Sequence, residues 1–318
     1  MQTLQAFGKN ISSAYSSTVT PFAQRSQQYL KESFGKADEK TQLPIEYTEL
    51  EKRVDALKTV HQKLLEVTKQ YNHEGYDYPP NLRESFSDLG RSIHDKVTLL
   101  SKASSAAEAG AAFTAPPSTK PQPKTFNHAI ARASLASSQL LKESEPTGKD
   151  DDQLATALEK YALAEEKVGE ARLAQDQQIQ ARFLAGWQTT LNTNIQFATK
   201  ARRNVENSRL LLDSTKAAKK VQQAGRGFNP DDETQLSEDA RAEIEAKEDD
   251  FVSQVEEAQG VMKNVLDTPE PLRNLADLIA AQLEYHKKAY EILSDLAPVI
   301  DQLQVDQEAS YRQSREGA

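Results

Sequence analysis

The chain has 318 residues, with 39 Lys and Arg against 48 Asp and Glu, a formal net charge of −9 and a hydrophobic fraction of 37%. The acidic balance argues against a general nucleic-acid binder, the absence of cysteine excludes disulfides and thiolate metal sites, and no apolar run approaches the length of about 18 residues that a membrane span needs. Sparse glycine and proline with abundant Ala, Leu, Glu, Lys and Gln favour long helices that share narrow seams.

The first 31 residues contain no Asp or Glu and lack the continuous apolar core of a secretory signal. Large apolar side chains recur there at steps of three, four, four and seven residues, which places them on one helical stripe opposite mainly Ser, Thr and Asn. These side chains are Leu4, Phe7, Ile11, Tyr15 and Phe22. We predict that residues 1–36 form an amphipathic segment that folds as this stripe inserts into a bilayer. The alternative is that the stripe docks on the protein's own helices.

A second helical pattern follows the N-terminal segment. Apolar residues and one histidine recur there at steps of three and four, the spacing of a coiled-coil seam. They are Tyr47, Leu50, Val54, Leu57, His61, Leu64, Thr68 and Tyr71. Gly75, Pro79 and Pro80 must break or redirect this helix. A shorter helical pattern and an Ala/Pro-rich linker follow, so we treat residues 73–125 as an interruption.

Helical pattern resumes at Phe126 and continues to about Glu143, before an Asp-rich turn with capping chemistry. Residues 154–224 contain no proline and predict one helix approaching 100 Å at roughly 1.5 Å per residue. Ser237 is the expected N-cap of the next helix, whose seam runs from Ile244 through Val265. Prolines at 269 and 271 break the rhythm, but the seam resumes at Leu272 and reaches Leu303. We predict one kinked helix there.

The chain offers no visible catalytic chemistry. None of its five histidines belongs to a local metal-ligand pair, and its carboxylates read as solvated helix faces. We therefore expect no enzyme activity, no cofactor and no metal site.

A block of positive charge on the second long helix opposes the charge of the whole chain. Nine basic residues stand against two acidic ones between Arg182 and Phe228. We predict that the basic residues bind lipid headgroups. The predicted residues are Lys200, Arg202, Arg203, Arg209, Lys216, Lys219, Lys220 and Arg226. The open alternative is that they pair with the acids of residues 231–257, which would neighbour them in a hairpin.

Three stretches carry a resemblance to a known family: YTELEKRVDALKTVHQKLLEVTKQY, ARRNVENSRLLLDSTKAAKK and LADLIAAQLEYHKKAYEIL. They resemble the BAR domains with an N-terminal amphipathic helix, of the endophilin-like type, and most closely those of fungal Golgi-vesicle proteins. The resemblance implies an all-α fold, a long kinked three-helix antiparallel coiled coil that forms a crescent-shaped six-helix homodimer. It places the BAR domain at residues 43–304, with the insertion at about 73–125 and a short tail at 305–318.

These features lead to one main hypothesis on function. It is a cytoplasmic, peripheral membrane protein that binds phospholipid bilayers and senses or generates curvature in vesicle trafficking, on Golgi-derived vesicles or on endosomal or plasma membrane in endocytosis. A second copy of the chain is the expected partner, with related BAR or trafficking proteins as further ones and no nucleic acid. The alternative is a coiled-coil scaffold or tether that binds protein partners without entering lipid.

Overall fold

The computed structural model describes residues 40–78, 96–100, 102–103, 108, 124–144, 152–224 and 236–316. Regular structure in these ranges is entirely helical, and no strand occurs in them. The helices are α1 (Ile45–Thr68), α2 (Phe126–Ser144), α3 (Gln153–Gln178), α4 (Ala185–Thr189), α5 (Ile195–Ala224), α6 (Glu238–Asp267) and α7 (Glu270–Glu316). The predicted all-α fold is confirmed.

Two helix starts follow the capping chemistry of the sequence. The Asp152 side chain accepts hydrogen bonds from the backbone N–H groups of Leu154 and Ala155 at the start of α3. The Ser237 hydroxyl accepts one from the N–H of Ala240 at the start of α6. Each cap satisfies donors that the first helical turn leaves without an intrahelical partner.

The described residues divide into two units. The first unit runs up to Gln62 and includes Thr189–Pro269, and its core lies between α1, α5 and α6. The buried apolar residues of α1 and α6 are those of the predicted seams, because steps of three and four keep one helix face inward. They are Tyr47, Leu50, Val54, Phe251, Val255, Ala258, Met262 and Val265.

The second unit comprises Lys63–Gln188 and the chain from Glu270 onward. Its larger core surrounds Phe183 and Trp187, whose ring centroids lie 5.3 Å apart, and includes Leu278 and Ala281 of α7. A smaller cluster joins α2 to α3 through Ala131, Leu135 and Ala162, together with Val97.

The long second helix is not uniform. Two π-helical segments, Ile179–Leu184 and Thr190–Asn194, interrupt the α-helical hydrogen bonding between Gln153 and Ala224. A π turn carries an extra residue. Consistent with this, the buried positions step by five from Thr190 to Ile195, instead of three or four.

The prediction of one kinked third helix is wrong in detail. Helix α6 ends at Asp267, and Thr268 is extended, with φ −61° and ψ 133°, so α7 begins anew at Glu270. The two prolines of the TPEP sequence account for the stop, because a proline disfavours helical backbone at the residue before it. A third proline, Pro298, lies inside α7 without ending it. Helix α7 continues to Glu316, through the residues that were predicted as a separate tail.

Helix α7 carries two distinct apolar faces. Asn274, Leu278 and Ala281 are its buried residues within the chain. Six residues of the predicted seam lie on another face and are exposed, whereas its later residues Leu296, Ile300 and Leu303 are half-buried. The six exposed residues are Leu272, Leu275, Ile279, Leu283, Tyr290 and Leu293, of which Leu272 and Tyr290 are each more than 70% exposed.

Candidate membrane-binding site

The structure describes only part of the predicted site. The five apolar residues of the N-terminal stripe, Leu4, Phe7, Ile11, Tyr15 and Phe22, lie outside the described residues, as does Arg226. The other seven basic residues all lie on α5, and their surroundings differ sharply.

Arg209 is fully buried, so its prediction as a headgroup ligand is wrong. Its guanidinium donates to Asp213 Oδ2 at 2.9 Å and to both carboxylate oxygens of Glu206, at 2.7 and 3.0 Å. Asp213 also accepts hydrogen bonds from Thr41, whose N–H and hydroxyl lie 3.2 and 2.5 Å from Oδ1. Carboxylates three residues before and four residues after an arginine share its helix face. That spacing was the available signal of an internal ion pair.

Three further basic residues pair with acids on neighbouring helices. Arg202 contacts Glu51 and Asp55 of α1 at 2.6 and 2.7 Å. Lys216 lies 2.6 Å from Glu248 and Lys219 lies 2.5 Å from Glu243, both on α6. The contacts of Lys216 and Lys219 support the alternative that basic residues pair with acids of residues 231–257. Arg202 is also ion-paired within the chain, but with acids of α1 that the alternative did not include. Partly exposed pairs of this kind stabilise a fold by at most about 1 kcal/mol each.

Lys200 and Arg203 differ from their neighbours, because both are exposed and neither forms an ion pair with a carboxylate of the described residues. Lys200 lines a cavity of about 390 Å³ on the first unit, together with Asn194, Asn204 and Phe197. The Phe197 side chain is 60% exposed. An exposed aromatic ring beside a cation and two amides is suited to the polar boundary of a bilayer. Lys220 is partly exposed and takes part in other interactions.

The second unit contains a buried arginine that the sequence analysis did not single out. Arg172 of α3 is only 2% exposed, and its Nη1 donates to the Glu74 carbonyl at 2.6 Å. Its guanidinium lies 4.1 Å from the centroid of the Tyr76 ring and 3.4 Å from Asp77 and Asp176 carboxylate oxygens. Burial raises the pKa of Asp176 to about 6, although the neighbouring Arg172 opposes this shift.

The same turn joins the two ends of the insertion. The Glu74 carboxylate accepts a hydrogen bond from the Lys124 N–H at 2.7 Å, and Asp77 accepts one from the Phe126 N–H at 3.4 Å. Arg172 therefore holds the segment that positions the start of α2.

His128 packs directly against Gly169, where a Cβ atom would lie 2.5 Å from the imidazole ring. Its Nδ1 shares a hydrogen bond of 2.6 Å with the Thr125 hydroxyl. His128, Glu166 and Glu170 bring possible ligand atoms within 4.8 Å of one another. However, Arg132 and Lys102 act on the Glu166 carboxyl with positive charge. Burial favours the protonated form of this carboxyl, and the two positive charges repel a bound cation. The absence of a metal stays a prediction.

Glu166 should make stability depend on pH. Its pKa is raised from 4.5 to about 7, chiefly by burial and to a smaller extent by Glu170, while the Thr98 hydroxyl, Arg132 and Lys102 act in the opposite direction. A carboxyl whose folded pKa is raised stabilises the fold fully below pH 4.5, and this contribution is lost as pH rises through 7. We expect the free energy of unfolding of Glu166→Gln, relative to that of the wild type, to increase by about 2–3 kcal/mol as the pH rises from 4.5 to 8.

Urea unfolding of both proteins across this pH range measures the difference. Glu257→Gln, on an exposed site of α6, is the matched control and should show no such trend. Parallel stability curves for wild type and Glu166→Gln would contradict a buried carboxyl that ionises near neutrality.

Among the described residues, no helix combines the length and apolarity that crossing a bilayer requires. Comparison with known proteins indicates a role in vesicular trafficking. The family model described as the "Bin/amphiphysin/Rvs domain for vesicular trafficking" matches residues 18–302.

Two fungal relatives match over most of their length. The chain is 33% identical over 273 residues to "Protein GVP36" of Saccharomyces cerevisiae, which covers 86% of this chain and 80% of the relative. It is 26% identical over 301 residues to the "Meiotically up-regulated gene 64 protein" of Schizosaccharomyces pombe, covering 92% and 99%. Because the family model spans nearly the whole helical assembly, the chain belongs to the Bin/amphiphysin/Rvs (BAR) domain family.

Proposed function

We propose that this non-enzymatic trafficking protein binds lipid bilayers at their surface and senses or generates curvature as a crescent-shaped homodimer. The observation that carries the lipid contact is the pair Lys200 and Arg203, which remains exposed on α5 while neighbouring cations are ion-paired. Near an anionic membrane each such residue contributes about 1 kcal/mol. Membership of a family that serves vesicular trafficking supports the same conclusion.

The exposed face of α7 supports dimerisation. Leu272, Ile279, Leu283 and Tyr290 lie on it at helical spacing, each more than half exposed. A soluble chain rarely leaves such a continuous apolar stripe in water. A second copy of the chain offers the same stripe and would cover it, as in an isologous interface.

The N-terminal stripe supplies the insertion. Each large apolar side chain gains about 1.5–3 kcal/mol on burial, so five gross roughly 10 kcal/mol before ordering costs. Because the opposite side carries little charge, insertion depends mainly on gaps between headgroups, which curved bilayers expose. This favours a location on small vesicles, and the resemblance to fungal Golgi-vesicle proteins favours Golgi-derived ones. Endosomal and plasma membrane are the other candidate sites.

Flotation with liposomes of graded diameter tests the insertion. We expect wild-type binding to rise as diameter falls, and Phe7→Glu and Ile11→Glu to weaken binding most on the smallest liposomes. Gln2→Glu, on the polar side of the stripe, is the matched control for added charge. Equal binding by wild type and both stripe variants would overturn insertion and favour the second candidate, a scaffold that binds proteins without lipid.

The same assay tests the cationic contact. Lys200→Gln/Arg203→Gln should weaken binding to acidic liposomes by roughly tenfold to thirtyfold at low salt, since two short-range headgroup contacts are lost. Lys216→Gln/Lys219→Gln removes the same charge from residues that are already ion-paired and should weaken it less. Equal losses in the two double variants would show that only overall charge matters.

A further inference from the structure

A cleft in the second unit lies between α3 and α7 and has a volume of about 340 Å³. Three alanines contribute to its lining, Ala171 and Ala174 from α3 and Ala281 from α7. Gln175 also lines it, although this side chain is nine-tenths buried in the chain. A volume of this size falls in the range that small-molecule sites occupy, about 300–1,000 Å³.

Charges of both signs line the cleft. Lys102, Lys167 and Lys288 contribute ammonium groups, and none of them lies in an ion pair with a carboxylate of the described residues. Two carboxylates, Glu170 and Glu284, share the lining. The Glu284 carboxylate accepts a hydrogen bond of 2.9 Å from the Gln178 amide. The lining therefore carries one net positive charge, with both signs available.

This pattern restricts the chemistry of a ligand. A polyphosphate would meet two carboxylates at close range, and a simple cation would meet three ammonium groups, so each would suffer like-charge repulsion. A ligand that carries a phosphodiester, a carboxylate and an ammonium group has a net charge of −1 and offers a partner to every charged side chain. Gln175 and Tyr285 provide further hydrogen-bonding groups.

We infer that this cleft binds a phosphoserine-type headgroup, with Lys102, Lys167 and Lys288 on its anionic groups and Glu170 and Glu284 on its ammonium group. The headgroup could belong to a lipid in the bilayer or to a soluble glycerophosphodiester. Only the lipid source rests on the proposed membrane function. The site is separate from Lys200 and Arg203, which belong to the first unit.

Liposomes that contain either phosphatidylserine or phosphatidylglycerol at equal mole fraction test the lipid source. The two lipids carry the same net charge, but only the serine headgroup has an ammonium and a carboxylate. We expect about fivefold tighter wild-type binding to phosphatidylserine, because charge-assisted contacts are added at no change in surface charge. Equal affinity for both lipids would overturn the lipid source.

Variants identify the cleft as the origin of this preference. Lys167→Gln/Lys288→Gln should abolish it, whereas Lys160→Gln/Lys287→Gln, which removes the same charge from exposed positions of the same helices, should retain it. Glu170→Gln/Glu284→Gln should bind both lipids more tightly while losing the discrimination between them. Retention of the preference in both cleft variants would overturn the assignment.

Titration with soluble glycerophosphoserine, followed by NMR or calorimetry on the full chain, tests the site without a membrane. Glycerophosphoglycerol is the matched control. Selective binding of glycerophosphoserine that Lys167→Gln/Lys288→Gln removes would support the site even if no liposome floats with the protein. If the protein binds liposomes but neither preference is found, the cleft proposal fails and the membrane function stands.

Discussion

Arg209→Ala is expected to lower the free energy of unfolding by about 3–5 kcal/mol, because it leaves the buried Asp213 carboxylate without its charged partner. Glu206 loses its partner as well, but it is more exposed and can be solvated. The Thr41 contact to Asp213 ties the residues that precede α1 to α5, so their anchorage should loosen at the same time. Urea unfolding of the full chain measures the effect.

Arg203→Ala is the control for Arg209→Ala, since Arg203 is an exposed cation of the same helix. It should change stability by less than about 0.5 kcal/mol, because surface substitutions of this kind rarely do more. Liposome binding should respond in the opposite order. Arg203→Ala should bind liposomes more weakly than the wild type, and a folded Arg209→Met variant should bind them as strongly as the wild type. A stable Arg209→Ala protein with weakened lipid binding would reinstate Arg209 as a headgroup ligand.

Arg172→Ala should cost about 3 kcal/mol or more, because Arg172 is buried and contacts Glu74, Tyr76 and two aspartates at once. The first effect of the substitution should be confined to the turn that Arg172 contacts. Hydrogen exchange at the Lys124 and Phe126 amides should accelerate, since their acceptors Glu74 and Asp77 are no longer held.

Arg172→Lys separates the charge from the geometry and guards against a variant that fails to fold. Lysine keeps the positive charge but lacks the planar fork that serves several acceptors, so exchange should still accelerate. Arg182→Ala, an exposed arginine in the first π-helical segment, is the control. Unchanged exchange at Lys124 and Phe126 in Arg172→Lys would show that the guanidinium does not hold the turn.

Much of the fold could be predicted from the sequence because its signals are local. The spacing of Tyr47, Leu50 and Val54 places them on one face, and burial follows from hydrophobicity once helices associate. The caps Asp152 and Ser237 act on N–H groups two or three residues away, so the sequence alone contains both partners.

The basic block could not be resolved in the same way. Its net charge is a property of the sequence, but the state of each cation depends on which acids other helices bring near it. Arg202 meets Glu51 and Asp55 from about 150 positions earlier, whereas Arg203, the next residue, projects away from them. A difference of one position rotates a helical side chain by about 100°, which separates an ion-paired residue from an exposed one.

The interruptions of the helices show a second limit of prediction from the sequence. Prolines at 269 and 271 indicated a disturbance, and the extended Thr268 turns it into a complete stop. Pro298 removes one backbone donor from α7, yet the helix tolerates it. Neither π-helical segment contains a proline or a glycine that would signal an irregular turn in the sequence. Gly186 lies between the two segments, in α4. A π turn forms where the packing of the helix on both sides of the turn outweighs its preference for 3.6 residues per turn. Predicting it therefore requires knowledge of the tertiary contacts.

The hydrogen bonds of Glu74 with Lys124 and of Asp77 with Phe126 hold together two parts of the chain that are far apart in the sequence. The segment between them therefore leaves and re-enters the helical fold at nearly the same place. Doubling the length of a flexible connection between fixed ends costs only about 0.6 kcal/mol. A fluorescent protein inserted between residues 109 and 123 should therefore leave the helices on either side in register, because Val97, Thr98 and Lys102 and their contacts stay in place. An insertion at this place would allow the protein to be imaged in living cells with an unmodified N-terminus.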